Sequence, residues 1–119
     1  MKKTIAIIAG EPNSISSEII FKSWINKKKY NHKPFFIIGS IKLLYLQMKK
    51  LKYKIKIKKI NNNFQVKDLL TSQMPVYNVD YEQKKPFEKI TSKSNKYIFQ
   101  CFDVALSLSK NKKIIGFIN

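Results

Sequence analysis

Apolar residues at strand spacing and at helix spacing take turns along the whole of this chain, and that alternation restricts the fold more than any other feature. Thr4 to Ala9 is nearly all β-branched or small, as a buried strand requires. Gly10 and Pro12 break it, and Ile15, Ile19, Ile20 and Trp24 then recur at helical spacing. Pro34 to Gly39 predicts a second strand, and Ile41, Leu44, Tyr45, Met48 and Leu51 a second helix. From Leu51 to Lys58 apolar residues alternate strictly with lysines, the period of a strand with one buried and one solvated face. Asn61-Asn62-Asn63 marks a loop, Phe64 to Leu70 one helical turn, and Pro75 to Val79 a short strand. Asp80 to Thr91 keeps neither period and predicts an irregular connection. Ser92 or Ser94 starts a third helix with the face Ile98, Cys101, Phe102, Ala105 and Leu108, and Lys113 to Asn119 supplies another apolar strand. Strands and helices in alternation predict an α/β fold, a mostly parallel sheet with flanking helices.

Chemistry in such a sheet gathers beyond the carboxyl ends of its strands. That makes the turn after the first strand the place to look, and Gly10, Glu11, Pro12, Asn13 and Ser14 the candidate cofactor-lining residues. Asn13 or Ser14 is placed to cap the first helix, and Glu18 falls in its first turn, where a carboxylate suits the helix dipole. The plain alternative is that the turn merely joins strand to helix.

The chain has 119 residues, enough for one domain or a piece of a larger one. Its apolar fraction of 44% supports a packed core. No apolar run approaches the roughly 18 residues of a membrane span. Lys2 and Lys3 ahead of an apolar segment resemble the start of a signal peptide. Glu11 and Pro12 cut that segment short, however, and no clean cleavage site follows, so a cytoplasmic protein is expected. The net charge is +17, and every basic residue is lysine. Arginine, the usual reader of guanine edges and bidentate clamp of phosphate, is absent. The lysines are spread along the chain among Ile and Asn, the other residues of A/T-rich codons. Base composition is a sufficient cause for them, and neither nucleic acid nor a membrane is an expected partner. The Leu51–Lys58 run follows suit: lysines on a sheet edge or open face discourage pairing with other chains.

No complete catalytic constellation is present. The only histidine, His32, lies in a polar loop without an obvious partner and reads as a surface residue. Asp68, Asp80, Glu82, Glu88 and Asp103 form no ligand-spaced motif, so no metal ligands are assigned. A Ser/His/Asp set and a Walker loop are both missing, and Gly10 alone is no dinucleotide fingerprint. The lone cysteine, Cys101, excludes an internal disulfide and reads as a small core residue. Ile114 to Ile118 has the pattern of a central parallel strand, which ordinarily leads into a functional loop and a covering helix. The chain therefore reads as truncated, its unpaired apolar surface favouring aggregation.

Gly10-Glu11-Pro12-x-x-Ile15-x-x-Glu18, directly after an apolar strand, resembles the opening of the 4-hydroxythreonine-4-phosphate dehydrogenases of pyridoxal phosphate (vitamin B6) biosynthesis. Those chains begin with a strand and a Gly-Glu/Asp-Pro-x-Gly-Ile-Gly-Pro-Glu turn. The related isopropylmalate and isocitrate dehydrogenases carry a Gly-Asp-Gly-Ile-Gly-Pro-Glu turn, and Pro12 favours the former. Ser14 and Ser16 stand where the family usually has glycine, and Ser17 where it usually has proline. The family's strand corresponding to Ile114–Asn119 runs into a Thr-Gly-Pro-x-Asn/His-Lys loop; with Asn119 at the threonine position that loop is missing here, and a shifted register instead puts Phe117 at its proline. Its metal-binding histidines and phosphate-contacting lysine and arginine come later still and have no counterparts here.

The resemblance implies that residues 1–119 are the N-terminal part of a single α/β dehydrogenase domain of the isocitrate/isopropylmalate dehydrogenase type. It implies an enzyme that oxidises 4-hydroxy-L-threonine phosphate with NAD and a divalent metal, the metal polarising the substrate oxygens for hydride loss and decarboxylation. It further implies a cytoplasmic homodimer acting on a small phosphorylated hydroxy-amino acid. The catalytic remainder would lie outside this chain, which alone would be inactive. A fragment of another metal-dependent hydroxy-acid dehydrogenase of the same fold and a small basic nucleic-acid-binding domain are the alternatives.

Overall fold

A computed structural model of the chain describes residues 3–27 and 33–119. Strands β1 (Ile5–Ile8), β2 (Phe35–Gly39), β3 (Ile57–Ile60), β4 (Met74–Asn78) and β5 (Gly116–Ile118) form a sheet in the order β3-β4-β2-β1-β5. Every pairing in it is parallel, with Lys59, Val76, Ile37, Ile7 and Ile118 in one row across the sheet. Between the strands run helices α1 (Ser16–Ile25), α2 (Ile41–Leu51), α3 (Val66–Leu69) and α4 (Asn95–Lys110), the last preceded by a 3-10 turn at Ser92–Ser94. The expected α/β class holds.

The helices divide between the two faces. Ile20, Phe21 and Trp24 of α1 and Leu44 and Met48 of α2 pack on Phe35, Ile37, Met74 and Val76. Leu69 of α3 and Tyr97, Cys101, Ala105 and Leu108 of α4 pack on Ala6, Ile8, Phe36 and Ile38 from the other side. Connections through α1 and α2 step toward β3, and those through α3 and α4 step back toward β5. Right-handed crossovers moving in opposite directions must lie on opposite faces, so strand order alone dictates the two layers. β2, flanked on both sides and covered on both faces, is buried at every position.

Four local expectations are corrected. Ile15 and Ile19 do not join the buried face of α1: they are 71% and 54% exposed. The buried stripe is Ser17, Ile20, Phe21 and Trp24, because isoleucines occur around the whole helix and the aromatic rings decide which side meets the sheet. Neither Asn13 nor Ser14 is the N-cap; Ile15 holds that position without a side-chain cap bond. The strand expected over Leu51–Lys58 begins only at Ile57, since α2 runs through Leu51 and Lys52 ends it in the left-handed region at φ 62°. Burial still alternates there, with Ile55 buried between exposed Lys54 and Lys56, but β4 offers partners only from Met74 onward. Finally, β5 is an edge strand rather than a central one, paired to β1 alone, and Ile115 and Ile118 are 60% and 57% exposed. The lysine-rich β3 is the other edge, as its composition suggested. His32 lies outside the described residues.

Candidate functional site

The turn after β1 lies at the carboxyl end of the sheet, next to Ser40 at the N-cap of α2 and Asn119 after β5. Ala9 still donates to the Ile38 carbonyl at 2.9 Å, so the chain leaves the sheet only at Gly10. Gly10 takes φ +72°, a conformation that costs any residue with a Cβ, and a Cβ built there would stand 2.7 Å from Asn119 Oδ1. The backbone thus turns sharply where β1 and β5 end side by side.

Glu11, Pro12 and Asn13 are each held by a different part of the fold, and Ser14 by its neighbours in the turn. Glu11 accepts a hydrogen bond from the Ser94 hydroxyl at 3.0 Å, and its carbonyl accepts from Ser14 Oγ at 2.9 Å. Pro12 is buried, and its carbonyl accepts from Gln47 Nε2 at 2.6 Å. Asn13 pairs reciprocally with Gln83: its Nδ2 donates to Gln83 Oε1 at 3.1 Å, and Gln83 Nε2 donates to Asn13 Oδ1 at 2.8 Å. The Glu88 backbone N–H adds a third bond to Asn13 Oδ1, also 2.8 Å. Ser14 Oγ accepts from the Ser16 backbone N–H at 3.1 Å and lies 2.7 Å from Ser16 Oγ. With its own proton on the Glu11 carbonyl, Ser14 must accept from Ser16 in that contact.

The five candidate residues therefore come together, but their polar groups are engaged with the rest of the chain. What the turn presents is a rigid backbone rather than free side chains. The groups that hold it were not singled out from the sequence. Gln47, 2% exposed on the apolar face of α2, bonds both Pro12 and Pro86 carbonyls. Gln83, 8% exposed, sits in the irregular connection and also bonds the Lys85 carbonyl. Gln47 was recognisable as a polar residue between Leu44 and Met48 on an apolar stripe, whereas Gln83 carried no signal.

Below the turn, Tyr97 of α4 accepts a hydrogen bond from the Ser40 backbone N–H at 2.9 Å. Burial pushes its hydroxyl well above the usual tyrosine range, with the neighbouring Cys101 adding to the rise. Burial likewise pushes the Cys101 thiol up to about 11, against a hydrogen bond from Tyr97 that pulls it down. A thiol held neutral in this way is neither a nucleophile nor a ligand at neutral pH. The reading of Cys101 as core is sound. Among the described residues no group of three or more His, Cys, Asp or Glu side chains is placed to hold a metal ion. The residues present do not fit the divalent metal that the resemblance implies, and no reaction step runs through one here.

The sequence matches no family model and no curated protein. Solved structures match its fold, two 4-hydroxythreonine-4-phosphate dehydrogenases among them. A 4-hydroxythreonine-4-phosphate dehydrogenase from Burkholderia phymatum superimposes with a TM-score of 0.79 at 18% identity, over 96% of this chain and 34% of that one. A protein from Salmonella typhimurium assigned as a 4-hydroxythreonine-4-phosphate dehydrogenase gives 0.77 at 21% identity, over 96% and 35%. The fold of this chain is theirs. It spans about a third of their length, and at these identities the likeness is one of architecture. No helix among the described residues is long and apolar enough to cross a membrane.

Proposed function

We propose that this chain is the N-terminal portion of a 4-hydroxythreonine-4-phosphate dehydrogenase, a homodimeric, NAD- and metal-dependent cytoplasmic enzyme when complete, and inactive as these 119 residues alone. The observation that carries the reading is a coincidence of motif and place. Gly10-Glu11-Pro12-x-x-Ile15-x-x-Glu18 stands at the carboxyl end of β1, in a sheet that follows the solved dehydrogenases over 96% of this chain. The uncovered side of β5 supports it. A groove of about 630 Å³, lined by Ile5, Ile7, Ile19, Ile20, Phe35 and Ile118, runs between α1 and that strand. An apolar sheet face of this kind is ordinarily covered by a further strand and helix. In this reading Gly10 to Ser14 forms one wall of the cofactor crevice, and the reacting groups come from elsewhere.

A chimera tests it. The matched third of the Salmonella typhimurium protein is replaced by this chain, and NADH formation from 4-hydroxy-L-threonine phosphate is followed with NAD and a divalent metal. The chimera is expected to turn over and the 119-residue chain to give no NADH. A folded, dimeric chimera without activity speaks against the family, and metal-dependent NADH from the chain alone overturns its inactivity.

A further inference from the structure

Ser17 Oγ is the one buried side-chain polar atom among the described residues that has no hydrogen-bond partner. Ser17 is 6% exposed and lies in the first turn of α1, on the stripe that faces the sheet. It lines a small cavity of about 10 Å³ under the turn, whose wall also includes Glu11, Pro12, Ser40, Gln47 and Tyr97. A single water needs roughly 10–15 Å³ and two to four polar partners, and this space offers both. It is too small for an organic ligand. A buried hydroxyl left dry bears its full desolvation penalty, which a bridging water removes.

We propose that this cavity is an internal hydration site, holding one ordered water that bonds Ser17 Oγ and joins the Gly10–Ser14 turn to the first turns of α1 and α2. The position is informative in itself. Serine places a buried hydroxyl on the wall of this cavity, and the water completes it. The turn, α1, α2 and Tyr97 of α4 then share a common polar joint directly behind the candidate crevice.

Water-to-amide nuclear Overhauser spectroscopy on the isotope-labelled chain is the test. A long-lived water should give a cross-peak of slow-tumbling sign to the Ser17 or Ser40 amide, and Ser17→Ala should abolish it. The same variant, compared with Ser23→Ala on the half-buried side of α1 as a helix-propensity control, should shift the unfolding equilibrium on the order of fivefold toward the unfolded state. Absence of the cross-peak in the unsubstituted chain overturns the proposal. So does a Ser17→Ala midpoint at or above that of Ser23→Ala, which is the signature of relief from a dry, orphaned hydroxyl.

Discussion

Gly10 in the turn after β1 and Gly116 at the start of the neighbouring β5 answer to opposite physics. Gly10 has φ +72°, where an L side chain strains the backbone, while a Cβ on Gly116 would meet nothing within 4 Å. Gly10→Ala should therefore destabilise the fold by about 1–2 kcal/mol. The Asn119 side chain near it can swing away and adds little. Gly116→Ala should be neutral or stabilising by up to about 1 kcal/mol, because it removes freedom from the unfolded chain at no cost in the folded one. Denaturant unfolding of the two variants measures the difference, and equal effects would show that positive φ at Gly10 is not what the turn requires. A break at Gly10 was legible in the sequence, where Gly10 and Pro12 end the apolar run, but the positive φ there was not. The buried hydroxyl of Ser17 was not, because burial in the first turn of a helix depends on which side the distant sheet occupies.

At the scale of elements, the turn and the irregular segment after β4 behave as one unit. Asn13 makes three hydrogen bonds to that segment, through Gln83 in both directions and through the Glu88 N–H. Gln47 clamps both sides at once by bonding Pro12 and Pro86 carbonyls. Asn13→Ala should cost about 1–3 kcal/mol, as it leaves the largely buried Gln83 amide short of partners. Hydrogen exchange should then quicken across residues 82–90, while amides of β1 and β2 stay protected. Uniform loss of protection throughout the sheet would mean that the segment is part of the global core instead. Regular elements were legible because their periods are local: β2, α2, β4 and α4 fall where the spacing puts them. The order of the irregular segment after β4 was not, because it comes from side-chain amides on three separate segments, which leave no period in the sequence. The face of α1 was misread for a related reason. Ile15, Ile19 and Ile25 are 71%, 54% and 56% exposed, so the residue type that usually marks a core marks nothing there.

The whole molecule has two very different edges. β3 carries Lys58 and Lys59, with Lys58 bridged to Asp68 at 3.2 Å, and a lysine-rich edge repels a second strand. β5 carries Phe117 and Ile118 beside a largely apolar groove, to which, among the described residues lining it, only Lys33 brings charge. Such an edge pairs readily with another chain. A net charge of +17 opposes that contact between copies through long-range repulsion. The two terms respond differently to salt. Repulsion is screened within about 8 Å at physiological ionic strength and within about 3 Å at 1 M, whereas apolar burial is not weakened. The purified chain should thus be monomeric at low salt and should associate as sodium chloride rises. Ile118→Lys should suppress this without unfolding the chain, because that side chain is 57% exposed. Lys59→Glu on the far edge should leave the association in place. Sedimentation at two salt concentrations, with circular dichroism to verify folding, reads all three outcomes. Association that weakens with salt, or that persists in Ile118→Lys, would place the contact in charge pairing or on another surface.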